Sequence, residues 1–175
     1  MELTKSATTI RDSLAQESAG WLMLKANPGA WLRQEFVVRK GKVYEGRPLP
    51  AKYPKMAAKH CFYNAGQLVR RRRNLRYCEG FITHDGLPLT IHHAWVIDDE
   101  DGVIDPTVEA PETWEYMGVA FSADEYRAAL KGRKTPALLV DQYDLVDVSL
   151  ILRYCPELRD LMSAEAVAAL TSRRS

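Results

Sequence analysis

The spacing of apolar residues predicts helices in the first part of the chain. Residues 8–25 carry apolar side chains at loosely helical spacing, which predicts a first helix, and ANPGAW (26–31) breaks it. Residues 35–45, EFVVRKGKVYE, have the pattern of two short strands around a glycine, which predicts a hairpin. From Pro54 to Arg72 the apolar stripe is again helical, so we expect a long helix there.

The middle of the chain has the alternation of strands, and the end is helical again. We predict strands at 75–83 and 89–97, joined by HDGLP, then a short strand in GVIDPT after the turn DDEDG, and a fourth strand in GVAFS. SADEYRAALKGR begins with a capping serine before a helix, and the tail SLILRYCPELRDLMSAEAVAAL is helical apart from Pro156. This order of elements predicts an α+β fold in which a cysteine-bearing helix packs on an antiparallel sheet.

Composition and charge limit the classes of protein to consider. The 175 residues are 46% hydrophobic and 27% charged, which is typical of one globular domain spanning 1–175. A net charge of +1 gives no global attraction to nucleic acid or to an anionic membrane. No apolar run has the length of a membrane span or of a signal-peptide core. Three separated cysteines without a CxxC pair favour reduced thiols, so we expect a cytoplasmic protein.

Three residue types with complementary chemistry occur in this predicted core. Cys61 lies near the start of a predicted helix, where the helix dipole favours an anionic thiolate. His93 alternates onto the same strand face as Trp95, an apolar surface that suits a general base shielded from water, whereas His92 points the other way. The DDEDG turn pairs the next strand antiparallel, which places Asp105 opposite His93. Taken singly, each residue also fits a structural role: a packed thiol, a buried histidine and a turn former.

A cysteine heading a helix, HAW on a strand and DPT on the following strand resemble the transglutaminase-like superfamily, which has a papain-like fold. The similar stretch covers residues 55–122, within a catalytic core of about 54–122 followed by a C-terminal helical part, 123–175. The resemblance implies Cys61 as nucleophile, His93 as base and Asp105 as the orienting acid. It also implies acyl transfer through a thioester, as in a protease, amidase, deamidase or transglutaminase, with a protein, peptide or small amide as substrate.

Four further residues are candidates for contacts with that substrate. Asn64 lies one helical turn after Cys61 and either positions the substrate or is an exposed helical amide. Tyr77 and Gly80 belong to the strand 75–83 and are predicted to line the cleft, because glycine permits close approach of a backbone. Trp95 completes the set as the apolar neighbour of His93.

Two other functions compete with the enzyme hypothesis. One is a catalytically silent binding module, in which the cleft or the run Arg70–Arg73 recognises a protein or nucleic acid; the simpler interpretation of that run is a solvated helix end. The other is a metal hydrolase with Cys61, His93 and Asp105 as zinc ligands. The leading hypothesis requires no metal and no cofactor, and the sequence leaves the oligomeric state open.

Overall fold

The computed structural model describes residues 9–23, 28–85, 87–140 and 146–162 of the chain. Within them the fold is α+β, as predicted, with one five-stranded antiparallel sheet and helices packed against it. The α-helices are α1 Ile10–Met23, α2 Pro28–Lys40, α3 Cys61–Arg71, α4 Ala123–Ala129 and α5 Val148–Tyr154. The strands are β1 Lys42–Glu45, β2 Arg76–Thr83, β3 Ile91–Ile97, β4 Val103–Ile104 and β5 Glu115–Phe121. Two 3-10 helices span Pro111–Thr113 and Pro156–Leu161.

The predicted hairpin at 35–45 is wrong in its first half, because residues 35–40 continue helix α2. Leu32 and Phe36 are one helical turn apart and fully buried, so the short apolar run FVV belongs to a helical stripe. Glu35 and Arg39 form an i,i+4 ion pair at 2.7 Å on the exposed side of α2. The Gly41 N–H bonds the Val37 carbonyl at 2.8 Å, and β1 begins immediately afterwards.

The predicted helix from Pro54 is also shorter than expected, since α3 begins at Cys61. Lys59 has a left-handed φ of 65°, which a helix interior does not accept, so the chain turns sharply just before α3. The correction moves Cys61 from inside the predicted helix to its first residue. Helix α1 and strands β2 and β3 lie where the sequence pattern placed them, and Ser122 forms a capping box with Glu125 at the start of α4. The predicted break at 26–31 is wrong over 28–31, because α2 begins at Pro28.

The sheet has the strand order β1-β5-β2-β3-β4, so β2 lies at its centre. Helices from both ends of the described chain cover one face, where they form the larger apolar cluster with Tyr77, Phe81 and Ala94 of the sheet. The opposite face carries a smaller cluster built around Trp95 and Tyr116. Directly paired residues share a face, so the pairs Phe81–His92 and Gly80–His93 lie on opposite faces.

A tight turn connects β3 to β4 and fixes where the chain leaves the sheet. Asp98 Oδ1 accepts the N–H groups of Gly102, at 2.8 Å, and of Glu100, at 3.2 Å. These bonds hold the acidic turn closed, as expected for a polar hairpin turn. Strand β4 pairs antiparallel with β3 for two residues only, and Asp105 follows at once.

The C-terminal prediction is confirmed as far as the structure describes it. Helix α5 ends before Pro156, and a 3-10 helix follows, so the proline interrupts the helical tail. The rest of the predicted helical tail, residues 163–170, lies outside the described residues. None of the described helices has both the length and the apolar character needed to cross a membrane.

Candidate functional site

The first turn of α3 brings Cys61 to the segment that follows β4. Cys61 is buried and is the first residue of α3, where backbone N–H groups lack helical partners. The Asn64 side-chain nitrogen donates to the Ala57 carbonyl at 2.8 Å and to Thr107 Oγ1 at 3.0 Å. The backbone N–H of Met56 also donates to the Pro106 carbonyl at 2.8 Å. The approach to the helix is thereby tied to the residues next to Asp105.

His93 and Asp105 form the hydrogen bond that the strand pairing predicted. His93 Nε2 lies 2.7 Å from Asp105 Oδ2, and both side chains are buried. An ionised carboxylate only accepts hydrogen bonds, so Nε2 carries the proton of this bond. The second ring nitrogen is Nδ1. His92 lies on the opposite face, between the rings of Phe62 and Phe81, which confirms the predicted alternation.

The Asp105 carboxylate has further donors that hold its orientation. Oδ1 accepts the backbone N–H of Thr107 at 2.8 Å, and Oδ2 accepts the Tyr116 hydroxyl at 3.2 Å. Burial raises the pKa of Asp105, but His93, the Thr107 N–H and the Tyr116 hydroxyl together lower it below its usual value. The aspartate is therefore ionised near neutral pH.

The electrostatics of His93 connect it to Cys61 as well as to Asp105. Burial by itself lowers the pKa of His93, but the hydrogen bond with Asp105 and the charge of the neighbouring Cys61 side chain raise it, to about 9. The Cys61 side chain therefore lies close enough to interact with the imidazole. A protonated His93 is favoured at neutral pH by this environment.

Trp95 forms the apolar wall predicted beside His93. The two rings are nearly parallel, with centroids 6.3 Å apart and an interplanar angle of 15°. Tyr44 and Tyr116 pack edge-on against the same indole, at 6.1 Å and 5.1 Å between centroids. Trp95 is fully buried, so this wall excludes water from one side of the imidazole.

The remaining three predicted contact residues have internal partners. Asn64 is 2% exposed, so the alternative of an exposed amide is wrong, and its bonds join α3 to Thr107. Tyr77 is fully buried on the face opposite His93, where it stacks on Tyr126 with ring centroids 4.3 Å apart. Gly80 does permit close backbone approach, but the approaching backbone is that of β5: an added Cβ would lie 2.1 Å from the Met117 carbonyl oxygen.

Sequence reasoning missed the residues that support Asp105. The Thr107 bond was open to prediction, since an aspartate side chain commonly accepts the backbone N–H of the residue two positions later. Tyr116 could not be found in this way, because its position follows from the β2–β5 register across the sheet.

A second buried cluster lies on the opposite face of the sheet and was also missed. Glu79 accepts the Tyr77 hydroxyl at 2.8 Å and the backbone N–H groups of Leu138, at 2.6 Å, and Leu139, at 2.9 Å. Burial opposes ionisation, but His92 and these donors lower the pKa of Glu79 below its usual value. His92 Nε2 is 3.1 Å from the carboxylate, in an orientation that forms no hydrogen bond, and burial lowers the pKa of His92.

The Arg70–Arg73 run lies at the C-terminal end of α3, as predicted. All four side chains are exposed, and the Arg72 guanidinium lies 4.8 Å from the centre of the Tyr53 ring. In the described part of the chain, no three or more His, Cys, Asp or Glu side chains are grouped as a metal ion would require. The zinc alternative therefore gains no support from the arrangement of its suggested ligands.

No family model, curated protein or solved structure matches this chain. The resemblance to the transglutaminase-like superfamily therefore rests on the residues around Cys61, His93 and Asp105.

Proposed function

We propose that the chain is a cysteine-dependent acyl-transfer enzyme with a papain-like, transglutaminase-like core, acting on an amide or isopeptide bond. The observation that carries the proposal is the buried 2.7 Å bond between His93 and Asp105, made by an imidazole that also interacts with Cys61. A nucleophile, a base and a group that orients the base are the three components of such a site.

The chemistry follows from the orientation of the imidazole. Asp105 holds the proton on Nε2, and transfer of the Cys61 thiol proton to Nδ1 gives a thiolate beside the imidazolium that this environment favours. The Cys61 sulfur then attacks the carbonyl carbon, and His93 returns the proton to the departing amine as the C–N bond breaks. This leaves a thioester on Cys61. Water or a second amine attacks the thioester with His93 again as base, which releases the product and restores the thiol.

Selective alkylation of the thiols tests the proposal. Cys78 and Cys155 serve as internal controls, because both are fully buried and burial raises their pKa, that of Cys155 to about 11. We expect limiting iodoacetamide near pH 6 to modify Cys61 first, as measured by peptide mass spectrometry, because a thiolate paired with an imidazolium stays reactive at this pH. His93→Ala should remove the selectivity while the fold is retained by circular dichroism.

Equal modification of the three thiols in the folded protein, or protection of Cys61 alone, contradicts the proposal. Either result would leave a silent member of the same fold, a binding module, as the better interpretation. Inductively coupled plasma analysis of the purified protein tests the zinc alternative separately, since stoichiometric zinc lost on Cys61→Ala substitution would favour it.

A further inference from the structure

Positive charge is concentrated in one stretch of the chain, and that stretch contains Cys61. Residues 46–78 hold nine of the 24 lysines and arginines and no aspartate or glutamate. The rest of the chain therefore has 15 cationic side chains against 23 anionic ones, a net charge of −8. The overall charge of +1 conceals this separation.

Within the residues that the structure describes, most of these cations have no anionic partner. Arg47, Lys55 and Arg76 form ion pairs with acidic side chains of the segment 98–109. Among the residues that the structure describes, the other six form no ion pair, and all six are exposed: Lys52, Lys59, Arg70, Arg71, Arg72 and Arg73. Their charges are thus available to a ligand.

The exposed side of α3 connects the two ends of this cationic surface. Lys59 lies two residues before the first residue of the helix. Tyr63 and Arg70 are two helical turns apart, so these two residues lie on the same side of α3. Tyr63 is 55% exposed, and it is one of the large aromatic residues that the fold leaves open to solvent. At a rise of about 1.5 Å per residue, Arg70 lies about 14 Å along the axis from Cys61.

We propose that this cationic surface, Lys59, Tyr63 and Arg70–Arg73, binds acidic segments of a polypeptide substrate and presents a nearby amide to Cys61. The inference rests on the proposed function, of which it specifies the substrate class. An extended peptide advances about 3.3 Å per residue, so acidic side chains about four to six residues from the reacting amide reach the arginines. Tyr63 packs against the apolar part of the intervening segment.

The charge distribution favours a short acidic peptide over a nucleic acid. Proteins that bind nucleic acid usually have a basic domain, with an isoelectric point above about 9. This chain has an isoelectric point near 7.7, and the residues outside 46–78 are net acidic. A long polyanion would meet repulsion beyond the cationic surface, whereas a peptide with a few acidic side chains would not.

Fluorescence anisotropy with the full-length Cys61→Ala protein tests the proposal without turnover. The probe is a fluorescein-labelled peptide of about twelve residues, with a central glutamine and glutamates at both ends; a second peptide has serine in place of each glutamate. We expect the acidic peptide to bind about tenfold more tightly, and to lose affinity between about 50 and 200 mM salt, since exposed charges are screened.

Matched charge removals localise the effect. Arg70→Gln/Arg71→Gln/Arg73→Gln should weaken binding of the acidic peptide about tenfold or more. Lys131→Gln/Lys134→Gln/Arg153→Gln removes the same charge from exposed positions elsewhere and should leave affinity within about twofold. Circular dichroism and unfolding midpoints confirm that both variants are folded.

Three results would overturn the proposal: no preference for the acidic peptide, equal loss of affinity in the two triple variants, or tighter binding of a single-stranded oligonucleotide of similar length that the Arg70 variant loses. The last result would identify a nucleic-acid surface instead. Because Cys61→Ala carries out no chemistry, failure here rejects the substrate class only, whereas failure of selective alkylation rejects the enzyme.

Discussion

Replacing Glu79 with glutamine tests whether the buried carboxylate holds the segment 137–140 against the sheet. The carboxylate accepts three hydrogen bonds: its Oε2 bonds the Tyr77 hydroxyl and the Leu138 N–H, and its Oε1 bonds the Leu139 N–H. A glutamine of the same shape has one acceptor oxygen. Its best orientation keeps the bonds at Oε2 and turns an NH₂ group towards the Leu139 N–H, so two donors face each other.

The expected cost follows from these contacts. A buried donor left without a partner costs about 1–3 kcal/mol, and the two retained bonds lose the extra strength of a charged acceptor, about 0.5–1 kcal/mol each. Relief from burying a charge offsets part of this loss. We therefore expect Glu79→Gln to lower the free energy of unfolding by about 2 kcal/mol at pH 7. For a chain of this size that corresponds to about 4–8 °C in Tm.

Urea unfolding and hydrogen exchange measure the effect globally and locally. The unfolding midpoint should fall with an unchanged m-value, and the amides of Leu138 and Leu139 should lose protection first. Glu109→Gln is the matched control, since the Glu109 side chain is 94% exposed and its ion pair with Lys55 should contribute less than about 1 kcal/mol.

The pH dependence of the stability difference between wild type and Glu79→Gln is a further test. The folded-state pKa of Glu79 lies below its usual value, so its stabilising contribution is present above the unfolded pKa of about 4.3 and is lost as the pH falls. The difference between wild type and Glu79→Gln should therefore shrink in acid. An unchanged midpoint at pH 7, or exchange that accelerates evenly along the chain, would refute this account of the Glu79 contacts.

Four further predictions follow from the site and its sheet. Asp105→Asn should slow alkylation of the candidate nucleophile by about 10–100-fold near pH 7 in a folded protein, because the wrong imidazole tautomer is favoured and an ordinary thiol is still a few per cent thiolate at that pH; unchanged kinetics would contradict this. Tyr116→Phe, which removes a 3.2 Å bond to that carboxylate, should cost about 1 kcal/mol in urea unfolding and shift the pH profile of alkylation. Gly118→Ala places a Cβ 2.6 Å from an indole carbon and should destabilise by about 1–3 kcal/mol, whereas Gly20→Ala, with open space around it, should not. The folded pKa of His93 is about 9, above its usual 6.5. The stabilising contribution of His93 is therefore complete below pH 6.5 and is lost as the pH rises through 9. Unfolding of wild type and of His93→Gln below pH 6.5 and above pH 9 measures this contribution.

The parts of the fold set by local sequence were predictable, and the parts set by distant packing were not. Strand alternation located β2 and β3, and the acidic turn fixed the β3–β4 pairing that places Asp105 beside His93. Residues 35–40 were misassigned because a three-residue apolar run fits a strand and a helix equally well. Phe36 is buried against the core, and this tertiary contact favours the helix.

The residues of the candidate site also divide into those that the sequence predicts and those that depend on distant packing. Its three central residues have chemistry that can be recognised from residue type and order. Tyr116 and Glu79 carry no such signal, since their partners come from strand register and from a loop about 60 positions away along the chain. Likewise, the start of α3 depends on the left-handed turn at Lys59, and a lysine in the sequence does not indicate this conformation.

The short outer strands of the sheet also bear on how the protein behaves at high concentration. The long, apolar strands β2, β3 and β5 are inside the sheet, and the outer positions are taken by β1, with four residues, and β4, with two. Lys42 places an exposed charge on β1, and Pro106 follows soon after β4. Charge, proline and short length at sheet edges all hinder the addition of a strand from a second molecule. These edges disfavour edge-to-edge aggregation of the described sheet, even though its inner strands are rich in aromatic and branched side chains.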